Sequence, residues 1–210
     1  MAKGQQKTNK EAKKPKKDSS PPKPASGGLS EPIRATITTA VIPRGKLKNK
    51  QSSMQKSVAA FEPEFLQGLK DIFEEHIVFN KTMGLKITSV EAHQVRARID
   101  MRNALVGHFS YNRIHGGVIS AGLDAMGGLA VMAAIGARHM DEPVQARLHR
   151  FAKLGTIDLR IDYLRPGISE HFELRAEVMR LGSRVASTRM EFLAADGKLL
   201  STGSAAYIVS

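Results

Sequence analysis

From Phe61 onward, apolar and polar positions follow one another in distinct periods. Pro63 and Glu64 open a stretch where Phe65, Leu69, Ile72, Phe73, His76 and Ile77 recur at helical spacing, which predicts a helix to about Phe79. Gly84 ends the connection after it. Leu85 and Ile87, then Val95, Ala97, Ile99 and Met101, alternate with polar residues and predict two strands. A loop rich in His, Ser and Asn is expected over 107–114. Residues 116–136 are apolar on every side apart from Ser120 and Asp124, as in a buried helix.

After a polar connection at 138–153, four strands follow closely. Ile157, Leu159, Ile161 and Tyr163 alternate with Thr156, Asp158, Arg160 and Asp162, and Pro166-Gly167 makes a turn. Phe172, Leu174, Ala176 and Val178 mark the next strand. The third runs from Arg184 to Phe192, with Ala186, Thr188, Met190 and Phe192 on one face. Asp196-Gly197 signals a hairpin, and 199–209 closes the chain. One helix, two strands, a buried helix and four strands predict an α+β fold, with one long helix wrapped by an antiparallel sheet.

Residues 117–136 are also long enough to cross a bilayer. Asp124 near the middle argues against a span, because a charge at that depth costs several kcal/mol. Four amphipathic strands also need an apolar partner. No membrane span is expected.

Charge changes the picture mainly at the N-terminus. Of the 210 residues, 32 are Lys or Arg and 20 are Asp or Glu; 14 and 3 of these fall in residues 1–60, which therefore carry +11 of the net +12. All eleven aromatic residues lie beyond residue 60, and six of nine prolines lie before it. Residues 1–60 are therefore expected to be a disordered Lys- and Pro-rich tail, and 61–210 the folded domain. Such a tail is either a solubility segment or a weak, non-specific contact for nucleic acid or anionic lipid. Met54 could itself open a complete domain, which would make the residues before it a fused extension or a misjoined reading frame. No apolar segment follows the basic start and the tail is poor in Arg, so neither a signal peptide nor a transit peptide is expected, and the location is expected to be cytoplasmic. Cysteine is absent, which excludes disulfides, thiolate nucleophiles and Cys-ligated metals. The remaining His residues lack metal spacing, so no metal is expected.

The candidate chemistry lies in His108-Phe-Ser-Tyr-Asn112-Arg-Ile-His115-Gly116-Gly117, continued to Asp124. Gly116 and Gly117 stand where a loop enters a helix. The first N–H groups of a helix lack internal partners and carry partial positive charge. Donors of this kind can form an oxyanion hole for a carbonyl oxygen that gains charge. Asp124 lies seven residues after Gly117, on the same face but about 10 Å along the axis. If the two cooperate, Asp124 of one subunit must meet Gly117 of another, which requires a two-fold dimer. Alternatively, Asp124 holds a buried polar contact and the glycines serve close packing.

These residues resemble those of the hotdog-fold acyl-CoA thioesterases, in the PaaI-like branch and its YigI-type bacterial enzymes. The resemblance rests on His115-Gly116-Gly117, on Asp124 nine residues after that His, and on the later run 155–167, and it covers about 64–209. It implies hydrolysis of a medium- or long-chain acyl-CoA by a homodimer or homotetramer, with no cofactor. It further implies that Gly117 N–H polarises the thioester carbonyl, and that Asp124 is general base or nucleophile. His115 would orient the loop or the thioester, beside Gly116, and Thr156 would help hold the water. Relatives carry an Asn shortly before the motif; His108 aligns there, and Asn112 lies closer. Arg165 and Arg184 either meet the phosphates of CoA or are solvated strand-end charges. Two other readings are an acyl-CoA sensor without catalysis whose tail contacts nucleic acid, and, less well matched in spacing, an enoyl-thioester hydratase.

Overall fold

The computed structural model of the chain describes residues 60–210. The expectation of a disordered tail lies, apart from Ala60, outside the described residues. Pro63 sits in the first turn of α1 (Pro63–Lys70), where its missing N–H costs nothing. The helix then widens into one π-helical turn (Asp71–His76), closed by Ile77 N–H donating to the Ile72 carbonyl at 3.0 Å. After Ile77 the chain resumes as α2 (Val78–Met83) and stops at Gly84, whose φ of 77° is left-handed. The helical region thus runs past Phe79. The wide turn keeps Phe73 in the core while Glu74 accepts the Ile87 N–H at 2.8 Å, capping an irregular point in the neighbouring edge strand.

That strand is β1 (Leu85–Val90), followed by β2 (Gln94–Asp100). The 107–114 region is more ordered than a loop: β3 (Val106–His108) and β4 (Arg113–Ile114) pair as a small hairpin. Then come α3 (Gly116–Arg138), α4 (Val144–His149), β5 (Gly155–Tyr163), β6 (His171–Leu181), β7 (Val185–Ala194) and β8 (Leu199–Ile208). Six strands form one antiparallel sheet in the order β1-β2-β6-β7-β8-β5. The α+β architecture matches the expectation.

The sheet's inner face carries Val95, Ala97 and Ile99, then Phe172 and Leu174, then Ala186, Met190 and Phe192, all buried against α3. Leu123, Met126, Leu129 and Met132 of α3 are fully covered. Each such side chain contributes roughly 1.5–3 kcal/mol on burial. The long apolar helix is therefore a core element rather than a membrane span.

The segment 138–153, expected as a polar connection, contains α4 and a completely buried Arg147. Its guanidinium donates to Glu62 at 2.6 Å and lies 4.8 Å from the centre of the Phe65 ring. It thereby ties the start of α1 to the C-terminal part of α3, where it also reaches the Gly136 carbonyl.

Candidate active site

The motif backbone is fixed before any side chain acts. Ile114 N–H donates to Gly167 and His115 N–H to Leu105, at 2.9 and 2.8 Å. Gly107 has no side chain because a Cβ there would lie 2.6 Å from the His115 Cα. His115 is the N-cap of α3, in extended conformation. Its Nδ1 accepts the Gly117 N–H at 2.8 Å, taking the place usually filled by a short polar side chain. The Gly117 donor is thus held by the His115 imidazole. The Gly116 N–H has no acceptor among the described residues.

Beside these amides is a cleft of about 320 Å³, lined by His108, Arg113, His115, Gly116, Ile119 and Tyr163 among others. Tyr163, at the end of β5, donates to the Gly116 carbonyl at 2.9 Å and anchors that end of the strand to the motif. His108 lines the cleft with a buried Nδ1 that has no partner. Asn112 adopts φ 47° at the tip of the hairpin, where Asn tolerates the left-handed region, and is not part of the cleft lining. Arg165 is exposed and donates to the Leu199 carbonyl at 2.9 Å. Arg184 is exposed in the β6–β7 turn, where its carbonyl accepts Val209 N–H.

Asp124 occupies a different place. Its Oδ1 accepts the Thr156 hydroxyl at 2.9 Å, at the start of β5. Tyr207, buried on β8, brings its hydroxyl within 3.1 Å of the same Oδ1 and 2.9 Å of the Asp124 carbonyl. Among the described residues no cation pairs with Asp124. Burial, and next the Asp124 charge, hold the Tyr207 phenol well above its ordinary range, so it stays a neutral donor. Sequence reasoning missed Tyr207. The available signal was a Tyr on an apolar strand face, whose hydroxyl needs a partner when buried.

The structure therefore joins His108, His115, Gly116 and Tyr163 at one end of β5, and Asp124, Thr156 and Tyr207 at the other. One end thus holds helix-start amides beside a cleft, and the other a carboxylate fixed by two hydroxyls.

The thioesterase superfamily family model matches residues 111–201, a span that holds His115-Gly116-Gly117, α3 and Thr156 but begins after His108. The medium/long-chain acyl-CoA thioesterase YigI of Salmonella typhimurium is 32% identical over 139 residues, covering 66% of this chain and 90% of that protein. The chain belongs to the thioesterase superfamily. YigI of Escherichia coli K12 is 31% identical over the same length. A crystal structure of a Shewanella oneidensis protein related to the thioesterase superfamily aligns with a TM-score of 0.65 at 34% identity, covering 71% of this chain and all of that one. In this superfamily member, the helix α3 laid across an antiparallel sheet is the hotdog fold.

Proposed function

We propose that the chain hydrolyses medium- or long-chain acyl-CoA thioesters in the cytoplasm, as a homodimer with a site at each crossing of the two subunits. The observation that carries this is the Asp124 carboxylate, set on a largely apolar helix with no counter-ion among the described residues and fixed by Thr156 and Tyr207. Kinship with enzymes named as medium/long-chain acyl-CoA thioesterases supplies the substrate class.

The two halves of the centre lie at opposite ends of β5, which is an edge of the sheet. Antiparallel pairing of two β5 edges would bring Thr156 opposite the partner subunit's Tyr163. Asp124 then faces the partner's Gly117. In this reading the thioester oxygen replaces the His115 imidazole on Gly117 N–H, with Gly116 N–H as a second donor. Asp124 takes a proton from water as the water oxygen bonds to the thioester carbon. The carbon–sulfur bond then breaks and the proton goes to the departing thiolate, giving fatty acid and CoA. His108 lines the acyl side of the cleft, and Thr156 helps hold the water.

Relatives named as hydrolases favour this reading over the sensor, which no observation supports. The test is Asp124→Asn. We expect kcat to fall by about 10²–10⁴-fold with an unchanged circular dichroism spectrum. A variant that keeps the parent kcat/KM across a panel of acyl-CoA esters would end the proposal.

A further inference from the structure

The alternation of β5 breaks at one point, and the break decides where Thr156 faces. Back from Tyr163, every second side chain turns inward: Tyr163 touches Gly116, Ile161 fills the space a Cβ on Gly203 would need, and Leu159 packs on the core. Continued at the same period, Ile157 would be next inward and Thr156 would turn to solvent. The pairing with β8 shows the reverse. Leu159 stands opposite Ala205 and Asp158 opposite Ala206, but the next partner, Tyr207, stands opposite Thr156. Ile157 is the extra residue of a β-bulge and is exposed. A slip of one residue exchanges the two faces of a strand, so the bulge is what sends the Thr156 hydroxyl to Asp124 at 2.9 Å. It also makes Thr156 and Tyr207 a cross-strand pair whose hydroxyls reach the same Oδ1.

A bulge disrupts the ladder locally, and the backbone groups beside it need fixing. Asp158 supplies that contact. Its Oδ1 accepts the Ala206 N–H at 3.0 Å, at the cross-strand pair next to the extra residue. The carboxylate thus grips β8 on one side of the bulge, and the Thr156–Tyr207 pair lies on the other. Asp158 is exposed and forms no ion pair among the described residues. Arg160 and Asp162, which follow it on the outer face, pair with each other instead. The Asp158 charge therefore serves no neighbouring cation and no core contact. Its hydrogen bond goes to a backbone amide, one residue before the tyrosine that holds Asp124.

We propose that Asp158 is a positioning residue of the hydrolytic centre: by accepting the Ala206 N–H it holds the β5 bulge, and the bulge turns Thr156 to Asp124. The proposal rests on the hydrolase reading for its effect on rate, and it concerns a side chain whose own hydrogen bond is to β8 rather than to Asp124. Without the acceptor, the strand loses the contact that fixes its register, and Asp124 keeps Tyr207 as its one secure donor. The loss falls on kcat, because it loosens the group that acts on water and leaves the cleft lining as it was.

The experiment measures kcat and KM on a panel of acyl-CoA esters for the full chain, Asp158→Ala, Asp158→Asn, Thr156→Ala and the double variant Asp158→Ala with Thr156→Ala. Thr156→Ala should lower kcat by about tenfold or more, and Asp158→Ala by about fivefold or more, with KM within about twofold of the parent. Asn keeps an oxygen at the accepting position, so Asp158→Asn should retain kcat within about threefold. In the Thr156→Ala background, Asp158→Ala should change kcat by less than about twofold, since residues acting through one contact are not additive. Losses that multiply, a folded Asp158→Ala with the parent kcat, or an Asp158→Asn as slow as Asp158→Ala would each overturn the proposal. Should Asp158→Ala fail to fold, Asp158→Val, a strong strand former without an acceptor, takes its place with the same expectations. A parent that cleaves no acyl-CoA overturns the hydrolase reading instead. Hydrogen exchange at the Ala206 amide then decides the bulge: protection at least about tenfold lower in Asp158→Ala than in Asp158→Asn keeps the assignment, and equal protection removes it.

Discussion

Tyr207 turns Asp124 from a lone charge into a positioned group. It offers one proton to two acceptors on the same residue, the carbonyl and Oδ1. A hydrogen bond to a charged group is worth about 1.5–3 kcal/mol. Tyr207→Phe should therefore lower kcat by about ten- to hundredfold with little change in KM. Stability near neutral pH should also fall, by about 1–3 kcal/mol, since the Asp124 carboxylate loses one of its two hydroxyl donors. The same residue makes stability depend on alkaline pH. Its phenol is held well above the ordinary value of 10.0, first by burial and then by the Asp124 charge. Below about pH 10, folded and unfolded chains both keep the proton. Above it, the unfolded chain releases a proton that the folded chain retains, so stability falls by about 1.4 kcal/mol per pH unit until the folded phenol also ionises. Urea midpoints between about pH 9 and 11 should fall less steeply in Tyr207→Phe than in the parent. Equal slopes would contradict the assignment. Asp124 announced itself as the one acid in an apolar helix, and Thr156 through the family likeness. Tyr207 did not, because its alternating strand position is equally that of a plain core residue.

Within α3, two glycines perform different tasks although they look alike in the sequence. A Cβ at Gly127 would overlap the Tyr207 hydroxyl, and a Cβ at Gly136 would overlap the Phe65 ring. Alanine regains about 1 kcal/mol of helix propensity at either position, but forcing atoms into packed space costs about 1–3 kcal/mol. Both Gly127→Ala and Gly136→Ala should lower the melting temperature. Only Gly127→Ala should also lower kcat, by about tenfold or more, since it pushes the phenol off Asp124. Calorimetry and steady-state kinetics on the same two proteins would show the split; equal kinetic losses would sink it. At this scale the strands were legible, because Val95 to Met101 and Ala186 to Phe192 alternate without interruption and face one core. The β3–β4 hairpin was not, because its form depends on the distant pairings Leu105–His115 and Ile114–Gly167. Nor was Arg147, whose burial depends on Glu62 and Phe65, more than eighty positions earlier. Local period reports which side of an element is covered. It carries no record of which remote residue satisfies a charge.

For the molecule as a whole, the decisive feature is an edge left open. Among the described residues β5 pairs with β8 on one side only, and Ile157 and Tyr163 on it are 55% and 54% exposed. Natural edge strands are usually shielded by charge, bulges or a covering element, because open backbone groups invite another strand. β5 does carry one irregularity, between Thr156 and Asp158, and it exposes Arg160 and Asp162, but those two pair with each other at 3.1 Å and leave the apolar side chains bare. A second copy paired antiparallel would cover Ile157 and bring the two halves of the centre together in one step. Assembly and activity should then be lost together. Ile157→Asp places a charge on that edge and leaves Asp124, Thr156 and the motif unsubstituted, and should convert a dimer to a folded monomer in light scattering. Turnover per subunit should drop with the dimer fraction, and dilution of the parent below its dissociation constant should reproduce the loss. A monomeric Ile157→Asp protein with the parent kcat/KM would mean that one subunit holds a complete centre, and the shared-site geometry would have to be abandoned.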